Sequence, residues 1–392
     1  MKKRVAVLGA TGSIGKNAID ILREDKERFD VVLLSSHSDI SGLLNLSREF
    51  PAAALAVSDP DAASKVSALP KGVYTGNAGL LRAIGEISPD MALNGIAGAA
   101  GLEPSLTALK AGADLALANK ETIVMAAPLV FALAKKNGRR VLPVDSEHHA
   151  ISSLLEAHGR ENIAELILTA SGGPFRKRKR EDFNKITVEE ALAHPTWNMG
   201  PKITLDSATL ANKGLEVIEA VGLFNMPTEK ISVVIHPQSI VHSMARLRDG
   251  AVYAQLSRPD MRLPIHSALY YPKCTPCSWG RLDFSEGLTL DFEPPDFEAF
   301  PMLSLAYEAA KQGGLYPTAY NAANESATEA FFAKKAGFLD IPRIVEYVLN
   351  RDWNTAGNLE NAEALQIILE ADKKARKTAN TFISEENLCL CS

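Results

Sequence analysis

The sequence has few cysteines, no long apolar run, little net charge and no aromatics interleaved with its basic stretch, and each absence removes a class of function. Four cysteines occur among 392 residues, all late, at Cys274, Cys277, Cys389 and Cys391. That is not the spread of a secreted disulfide framework, and it leads us to expect a reducing, cytoplasmic setting. Cys274 and Cys277 have the spacing of half a zinc site or a redox pair, but no second pair stands at a convincing distance. No run approaches the roughly 20 apolar residues of a membrane span. The basic start Met1-Lys2-Lys3-Arg4 mimics a signal peptide, yet Gly9, Thr11 and Gly12 interrupt the apolar stretch behind it. A formal net charge of -5 offers nucleic acid or an anionic membrane no whole-chain attraction, and Arg176 to Arg180 reads as a solvated loop. A small-molecule ligand is left. At 46% hydrophobic and 23% charged residues the chain is ordinary for a globular protein, and it is too long for a single core.

The chain opens strand, glycine turn, helix: Val5 to Leu8, then Gly9-Ala10-Thr11-Gly12-Ser13-Ile14-Gly15, then the helical spacing of Ala18, Ile19, Ile21 and Leu22. Such a turn lets the backbone approach a pyrophosphate that faces the positive end of the helix dipole. The second strand, Val31 to Leu34, leads into Ser35, Ser36, His37 and Ser38, with no carboxylate where NAD-binding chains hold the ribose 2′-hydroxyl. Hydroxyls and an imidazole tolerate a 2′-phosphate, so NADP is the expected cofactor. Strands at Ala53 to Val57, Met91 to Leu93 and Leu115 to Ala118, with helical spacing between them, complete a Rossmann-like doubly wound parallel sheet over residues 1–144. At the end of one strand Asn119, Lys120 and Glu121 stand where open α/β sheets bind ligands, although Asn119 is equally suited to capping a helix.

Residues 145–270 read as a central α+β domain. It begins with Asp145, Ser146 and Glu147 directly after the apolar run Val141 to Val144. If the strand continues, Asp145 and Glu147 aim two carboxylates at one spot and call for a hard cation or a shared proton; if a helix starts here, the acids favour its N-terminus. Ser171-Gly172-Gly173 has the composition of an anion nest. His194 to Gly200, with Trp197 and Met199 between prolines and glycine, reads as a lid loop over a ligand, the alternative being that Trp197 fills a core. Helical spacing from Ala208 puts Asn212 and Glu216 on one face, and Lys213 at i,i+3 from Glu216 makes an ordinary solvated salt bridge the competing reading. Ile231 to Ile235, Ile240 to Arg246 and Ala251 to Leu256 suggest antiparallel strands, and His242 within one of them reads as structural. Residues 271–300 form a connection rich in proline and aspartate, and residues 301–392 a helical domain.

Taken in order, Gly-Ala-Thr-Gly-Ser-Ile-Gly, Ala-Asn-Lys-Glu, Val-Asp-Ser-Glu-His, Ser-Gly-Gly-Pro-Phe, His-Pro-x-Trp-x-Met-Gly and Asp-Ser-Ala-Thr-x-x-Asn-Lys-Gly-Leu-Glu resemble the 1-deoxy-D-xylulose 5-phosphate reductoisomerase family over nearly the whole chain. The resemblance implies a metal-dependent rearrangement of 1-deoxy-D-xylulose 5-phosphate followed by NADPH reduction to 2-C-methyl-D-erythritol 4-phosphate, in non-mevalonate isoprenoid biosynthesis, by a homodimer. By position it implies metal ligands at Asp145, Glu147 and Glu216, and catalytic roles for Lys120, Glu147, His194 and Trp197. Implied substrate contacts are Lys120, Ser146, Glu147, Ser171, His194, Ser207, Asn212, Lys213 and Glu216. Implied cofactor contacts are Thr11, Gly12, Ser13, Ile14, Asn119, Glu121 and Gly200, to which the reading of the second strand adds Ser36, His37 and Ser38. His242 also coincides with a position in or over the site. Ligation by oxygen alone favours Mg²⁺ or Mn²⁺. A protein that senses NADP without catalysis is the alternative class; a semialdehyde dehydrogenase would need an activated cysteine, and none precedes Cys274.

Overall fold

The computed structural model describes residues 1–64, 72–197, 199–285, 287–361 and 363–386, so Asn198 of the lid motif and the late pair Cys389 and Cys391 lie outside the described residues. The chain divides into two compact units, one made of residues 1–122, 130–149 and 260–280, the other of residues 123–129, 150–259 and 281–392.

The first unit is built on seven strands, β1 (Lys3–Leu8), β2 (Phe29–Ser36), β3 (Ala54–Val57), β4 (Tyr74–Thr75), β5 (Met91–Asn94), β6 (Asp114–Leu117) and β7 (Val141–Pro143). Every pairing is parallel and the order is β4-β3-β2-β1-β5-β6-β7. The order reverses between β1 and β5, the switch point at which open α/β sheets form a ligand crevice. Helices α1 (Ser13–Glu24), α2 (Ile40–Glu49), α3 (Pro60–Ser64), α4 (Gly76–Ile87) and α5 (Leu102–Lys110) connect the strands, and α6 (Lys120–Lys136) and α7 (Ser146–His158) begin at the ends of β6 and β7. Strands buried on both faces read as continuous apolar runs: Val5, Val7, Leu34, Leu93 and Ala116 share one core with Ile19 and Leu22 of α1. A later helix, residues 262–270, returns to that core through Ile265, Ala268 and Leu269. Tyr270 donates to Asp25 at 2.7 Å and thereby fastens this return.

In the second unit, β8 (Ile163–Ala170) is followed by α8 (Val188–Ala191), α9 (Pro201–Ala208) and α10 (Ala211–Phe224), then by β9 (Ile231–Ile235), β10 (Val241–Leu247) and β11 (Val252–Leu256). The sheet order is β11-β10-β8-β9. It is antiparallel except that β8 and β9 run parallel, because α9 and α10 form the crossover between them. After α11, the returning helix Arg262–Tyr270, no regular helix or strand occurs among the described residues before α12 (Pro301–Gln312). With α13 (Tyr316–Phe332), α14 (Asp340–Leu349) and α15 (Ala364–Glu385) it gives the helical part expected from the spacing. Ala319, Ala323, Ala327 and Ala330 are buried along α13, which lets α14 and α15 approach closely. Arg376 of α15 is held between Glu325 at 2.5 Å and Asp372 at 2.8 Å.

One glycine at the head of α1 is dictated by space. A Cβ on Gly15 would stand 2.3 Å from the carbonyl oxygen of Gly9, whose own φ is +80°. Gly85 on the exposed side of α4 has no neighbour within 4 Å of such an atom. Gly15→Ala is therefore expected to lower the urea midpoint by an amount equivalent to roughly 1–3 kcal/mol or more. Gly85→Ala should raise stability by about 0.5–1 kcal/mol. A Gly15→Ala chain as stable as the parent would show that the turn does not press on the helix.

Candidate active site

In the first unit the glycine turn after β1 opens onto a cleft of about 440 Å³ lined by residues that include Gly9, Thr11, Gly12, Ser36, His37 and Ser38. Gly12 precedes α1 without a side-chain cap, so the first-turn N–H groups are not occupied by one, as a bound pyrophosphate requires. Ser13 and Ile14 begin α1. Thr11 and Ser36 hydroxyls stand 2.9 Å apart. The residues present fit a dinucleotide, and the lining contains no lysine or arginine among the described residues.

The carboxylate pair expected from strand alternation is formed differently. β7 ends at Pro143 and α7 starts at Ser146, so Asp145 sits at a helix entrance and Glu147 in its first turn. The Glu147 N–H donates to Asp145 Oδ1 at 3.3 Å, and the Ser146 hydroxyl donates to Glu147 Oε2 at 2.5 Å. The helix start outweighs the strand reading here: the last bond to β6 is from the Val144 N–H to the Leu117 carbonyl at 2.9 Å, and the His149 N–H already closes a helical turn onto the Asp145 carbonyl at 2.8 Å. Asp145 also faces Lys120, Nζ to Oδ2 2.7 Å, and His148, Nδ1 to Oδ1 3.3 Å. Burial alone would raise the Asp145 carboxyl, but the Lys120 ammonium and His148 hold it well below the usual carboxylate range. His148, fully buried and at i,i+3 from Asp145, is a neighbour whose spacing was readable in the sequence and went unused.

Asn119 caps α6: its Oδ1 accepts from the Thr122 N–H at 3.1 Å, and its Nδ2 donates to Glu121 at 2.8 Å. This buried hydrogen-bonded start fixes the direction in which Lys120 leaves the helix.

In the second unit Ser171 follows β8. Its hydroxyl oxygen lies 3.0 Å from His194 Nε2 and accepts from the Gly173 N–H at 3.3 Å. His194 Nδ1 accepts from the backbone N–H groups of Thr196, 3.1 Å, and Trp197, 2.9 Å. An imidazole that accepts at Nδ1 carries its hydrogen at Nε2, so His194 donates to Ser171 and leaves the serine hydrogen to be given elsewhere. Burial pushes the His194 pKa down, which keeps the ring neutral. Gly173 approaches α9 so closely that a Cβ on it would stand 2.7 Å from the Ser207 carbonyl oxygen. Ser171 and Ser207 are thereby brought to one region.

Gly200 is the N-cap of α9, with Pro201 at its first turn. Asp206 of this helix is buried, pairs with Lys202 at 2.9 Å and accepts from Asn324 of α13 at 2.9 Å. The pairing of Asp206 with Asn324 escaped the sequence reading, since no spacing links positions so far apart in the chain. Trp197 is half-buried, with its ring 6.4 Å from that of His242, itself buried in β10. On α10, Asn212 donates to Glu216 at 2.5 Å and Lys213 donates to its other carboxylate oxygen. The solvated salt bridge is ruled out: the side chains of Lys213 and Glu216 are only 3% and 1% exposed.

Three family models cover most of the chain: 1-deoxy-D-xylulose 5-phosphate reductoisomerase over residues 5–127, its C-terminal domain over 141–224, and the DXP reductoisomerase C-terminal domain over 256–378. A reductoisomerase of that name from Chlorobium chlorochromatii is 47% identical over 386 residues, 97% of this chain and 100% of that protein. The chain belongs to the 1-deoxy-D-xylulose 5-phosphate reductoisomerase family. A Treponema denticola family member is 49% identical, over 90% of this chain and 91% of its own. A crystal structure of DOX-P reductoisomerase in complex with NADPH, fosmidomycin and magnesium superposes with a TM-score of 0.91 at 39% identity, covering 97% of this chain and 98% of that one. The Zymomonas mobilis reductoisomerase in complex with NADPH gives 0.87 at 38% identity, covering 98% and 99%.

The neutral His194 has a measurable signature. Because the folded ring holds its proton less tightly than the ordinary imidazole at 6.5, its contribution to stability is complete above pH 6.5 and is lost as pH falls below it. Hydrogen-exchange protection of the Thr196 and Trp197 amides, corrected for intrinsic rates, should therefore drop between about pH 7 and about pH 5. Constant protection across that interval would contradict the acceptor role of Nδ1.

Proposed function

We propose that this chain catalyses the reaction its family is named for, the NADPH-dependent conversion of 1-deoxy-D-xylulose 5-phosphate to 2-C-methyl-D-erythritol 4-phosphate, with Asp145, Glu147 and Glu216 holding the divalent cation. The observation that carries this reading is that the Asp145 carboxylate is held ionised beside Lys120 and that Glu216 is buried against Lys213, oxygen donors of the kind a hard cation needs. Mg²⁺ or Mn²⁺, when bound, polarises a ketone and steadies an oxyanion, and NADPH supplies hydride.

The chain's own groups do the rest. Ser171 and Ser207 hydroxyls, the Asn212 amide and the Lys213 ammonium bind the substrate phosphate, the neutral His194 orienting Ser171. Lys120 and Ser146 position the carboxylates and meet substrate oxygens. The loop from His194 to Gly200 excludes water when it closes, with Trp197 and Met199 as its apolar face. Thr11 to Ile14, Asn119, Glu121 and Gly200 receive the cofactor. His242 supports the ring of Trp197.

The sheet of the second unit argues for a homodimer. β11 is an edge strand with Val252 and Tyr253 exposed, and Phe284, Phe292 and Phe297 are exposed as well. Cys274 and Cys277 are free thiols, and no described helix is long and apolar enough to cross a membrane, so a reducing cytoplasm suits the chain.

Two measurements test this. NADPH oxidation should require both 1-deoxy-D-xylulose 5-phosphate and Mg²⁺ or Mn²⁺, and Glu216→Gln should abolish turnover at ordinary Mg²⁺ by removing a charged ligand while keeping the shape. Near-normal turnover of that variant would remove Glu216 from the metal set; NADPH binding with no turnover in the parent would favour the sensing alternative. Separately, Tyr253→Asp should shift the sedimentation of the protein from dimer to monomer, and an unchanged dimer would relocate the interface away from β11.

A further inference from the structure

The cleft at the ends of β1, β2 and β3 contains a residue the motifs do not include. Ser58 follows β3, and its hydroxyl lies 3.0 Å from His37 Nδ1. The backbone fastens the same place twice: the Ser58 N–H donates to the Ser36 carbonyl at 3.0 Å and the Asp59 N–H to the His37 carbonyl at 3.1 Å. His37 itself is exposed, so these bonds are what define where its ring begins. Ser58 and His37 both line the cleft, together with Thr11, Ser36 and Ser38. A carboxylate, Asp39, also lines it, but its Oδ1 caps α2 by accepting from the Gly42 N–H at 2.9 Å. With no lysine or arginine in the lining among the described residues, a phosphate here must be met by hydroxyls and by the imidazole.

We propose that Ser58 is a specificity-determining residue for the adenosine 2′-phosphate of NADPH, acting by holding His37 at Nδ1 so that Nε2–H is presented as a donor. The inference rests on the reading of this cleft as the NADPH site. If the Ser58 hydroxyl donates to Nδ1, the neutral ring carries its hydrogen on Nε2; if Nδ1 donates to Ser58 in the charged ring, Nε2 is again a donor. The remaining tautomer turns a lone pair on Nε2 toward the phosphate and is disfavoured by it. Without Ser58 the exposed ring loses the contact that holds Nδ1 in place and so aims Nε2 at the phosphate. The 2′-phosphate then gains fewer charge-assisted hydrogen bonds, whereas NADH, which has none to offer, loses nothing.

The test is direct binding to the metal-free protein without substrate, titrated with NADPH, NADH, adenosine 2′-monophosphate and adenosine 5′-monophosphate and read by nicotinamide fluorescence and calorimetry. Ser58→Ala is expected to weaken NADPH and adenosine 2′-monophosphate by roughly tenfold, the equivalent of one hydrogen bond to a charged group, and to leave NADH unchanged. His37→Ala should do the same, the double variant should be no worse than either single one, and Ser58→Thr should restore binding. An unchanged NADPH affinity in Ser58→Ala, an equal loss for NADPH and NADH, or additive losses in the double variant each overturns the role of Ser58. If His37→Ala alone abolishes the NADPH preference while Ser58→Ala does not, the cofactor reading stands and the Ser58 inference falls. If the parent binds NADPH and NADH alike and ignores adenosine 2′-monophosphate, the cofactor reading falls with it.

Discussion

A carboxylate that is largely removed from water and still ionised is the constraint on which the arrangement at the ends of β6 and β7 depends. Asp145 meets it through Lys120, 2.7 Å away, and His148. Burial of an unpaired charge is costly enough that the group would otherwise take up a proton and cease to be a hard anionic ligand. Lys120 can do this only because its own helix start is fixed: Asn119 accepts from Thr122, bonds Glu121 and donates to the Gly98 carbonyl at 2.9 Å. The parallel sheet supplies the rest, since β6 and β7 end side by side and deliver α6 and α7 from adjacent strand ends. Topology, cap and ion pair are thus successive steps of one arrangement.

The second unit turns on a different interaction, the hydrogen bond between a neutral imidazole and a hydroxyl. Hydroxyls bind phosphate well only if their hydrogens are directed outward, and the bonds from His194 and the Gly173 N–H to Ser171 leave its hydrogen the one donor not already used. The direction is inherited from further back, because the Thr196 and Trp197 amides fix the tautomer of His194. Ser207 is located by contacts on both sides, by Gly173 against its carbonyl and by its neighbour Asp206 tied to Asn324 of α13. The helical part therefore anchors the helix that carries Ser207, one of the proposed phosphate contacts.

How much of this could be read in the sequence depended on the distance over which the cause acts. The nucleotide-type sheet, its glycine turn and the helical C-terminal part were legible, because strand runs, positive-φ glycines and helical spacing are local. For Asp145 and Glu147 the sequence left a continued strand and a helix start open, and the fold takes the helix start: β7 ends at Pro143 and α7 begins at Ser146. The burial of Lys213 and Glu216 was not legible, since an i,i+3 pair looks the same on a solvated face as in a core. Asp206 with Asn324, and Ser58 with His37, were out of reach for a third reason. Each pair joins residues on different elements, and only the folded chain brings them within hydrogen-bond distance.

Asp145 and Glu216 share a device that bears on how a cation would enter. Each carboxylate is buried and already paired with a lysine, Lys120 for one and Lys213 for the other. Removing such a lysine would take away the charged partner and leave Asp145 with His148 and Glu216 with Asn212, so these cations are part of the stability of the metal-free fold. If these carboxylates are metal ligands, as proposed, a divalent ion would have to compete with the lysines for the same oxygens. Metal affinity is then the difference between two strong interactions rather than the full strength of one. In the proposed ligand set, cation affinity would therefore depend on how readily Lys120 and Lys213 give up their carboxylates, as much as on the carboxylates themselves.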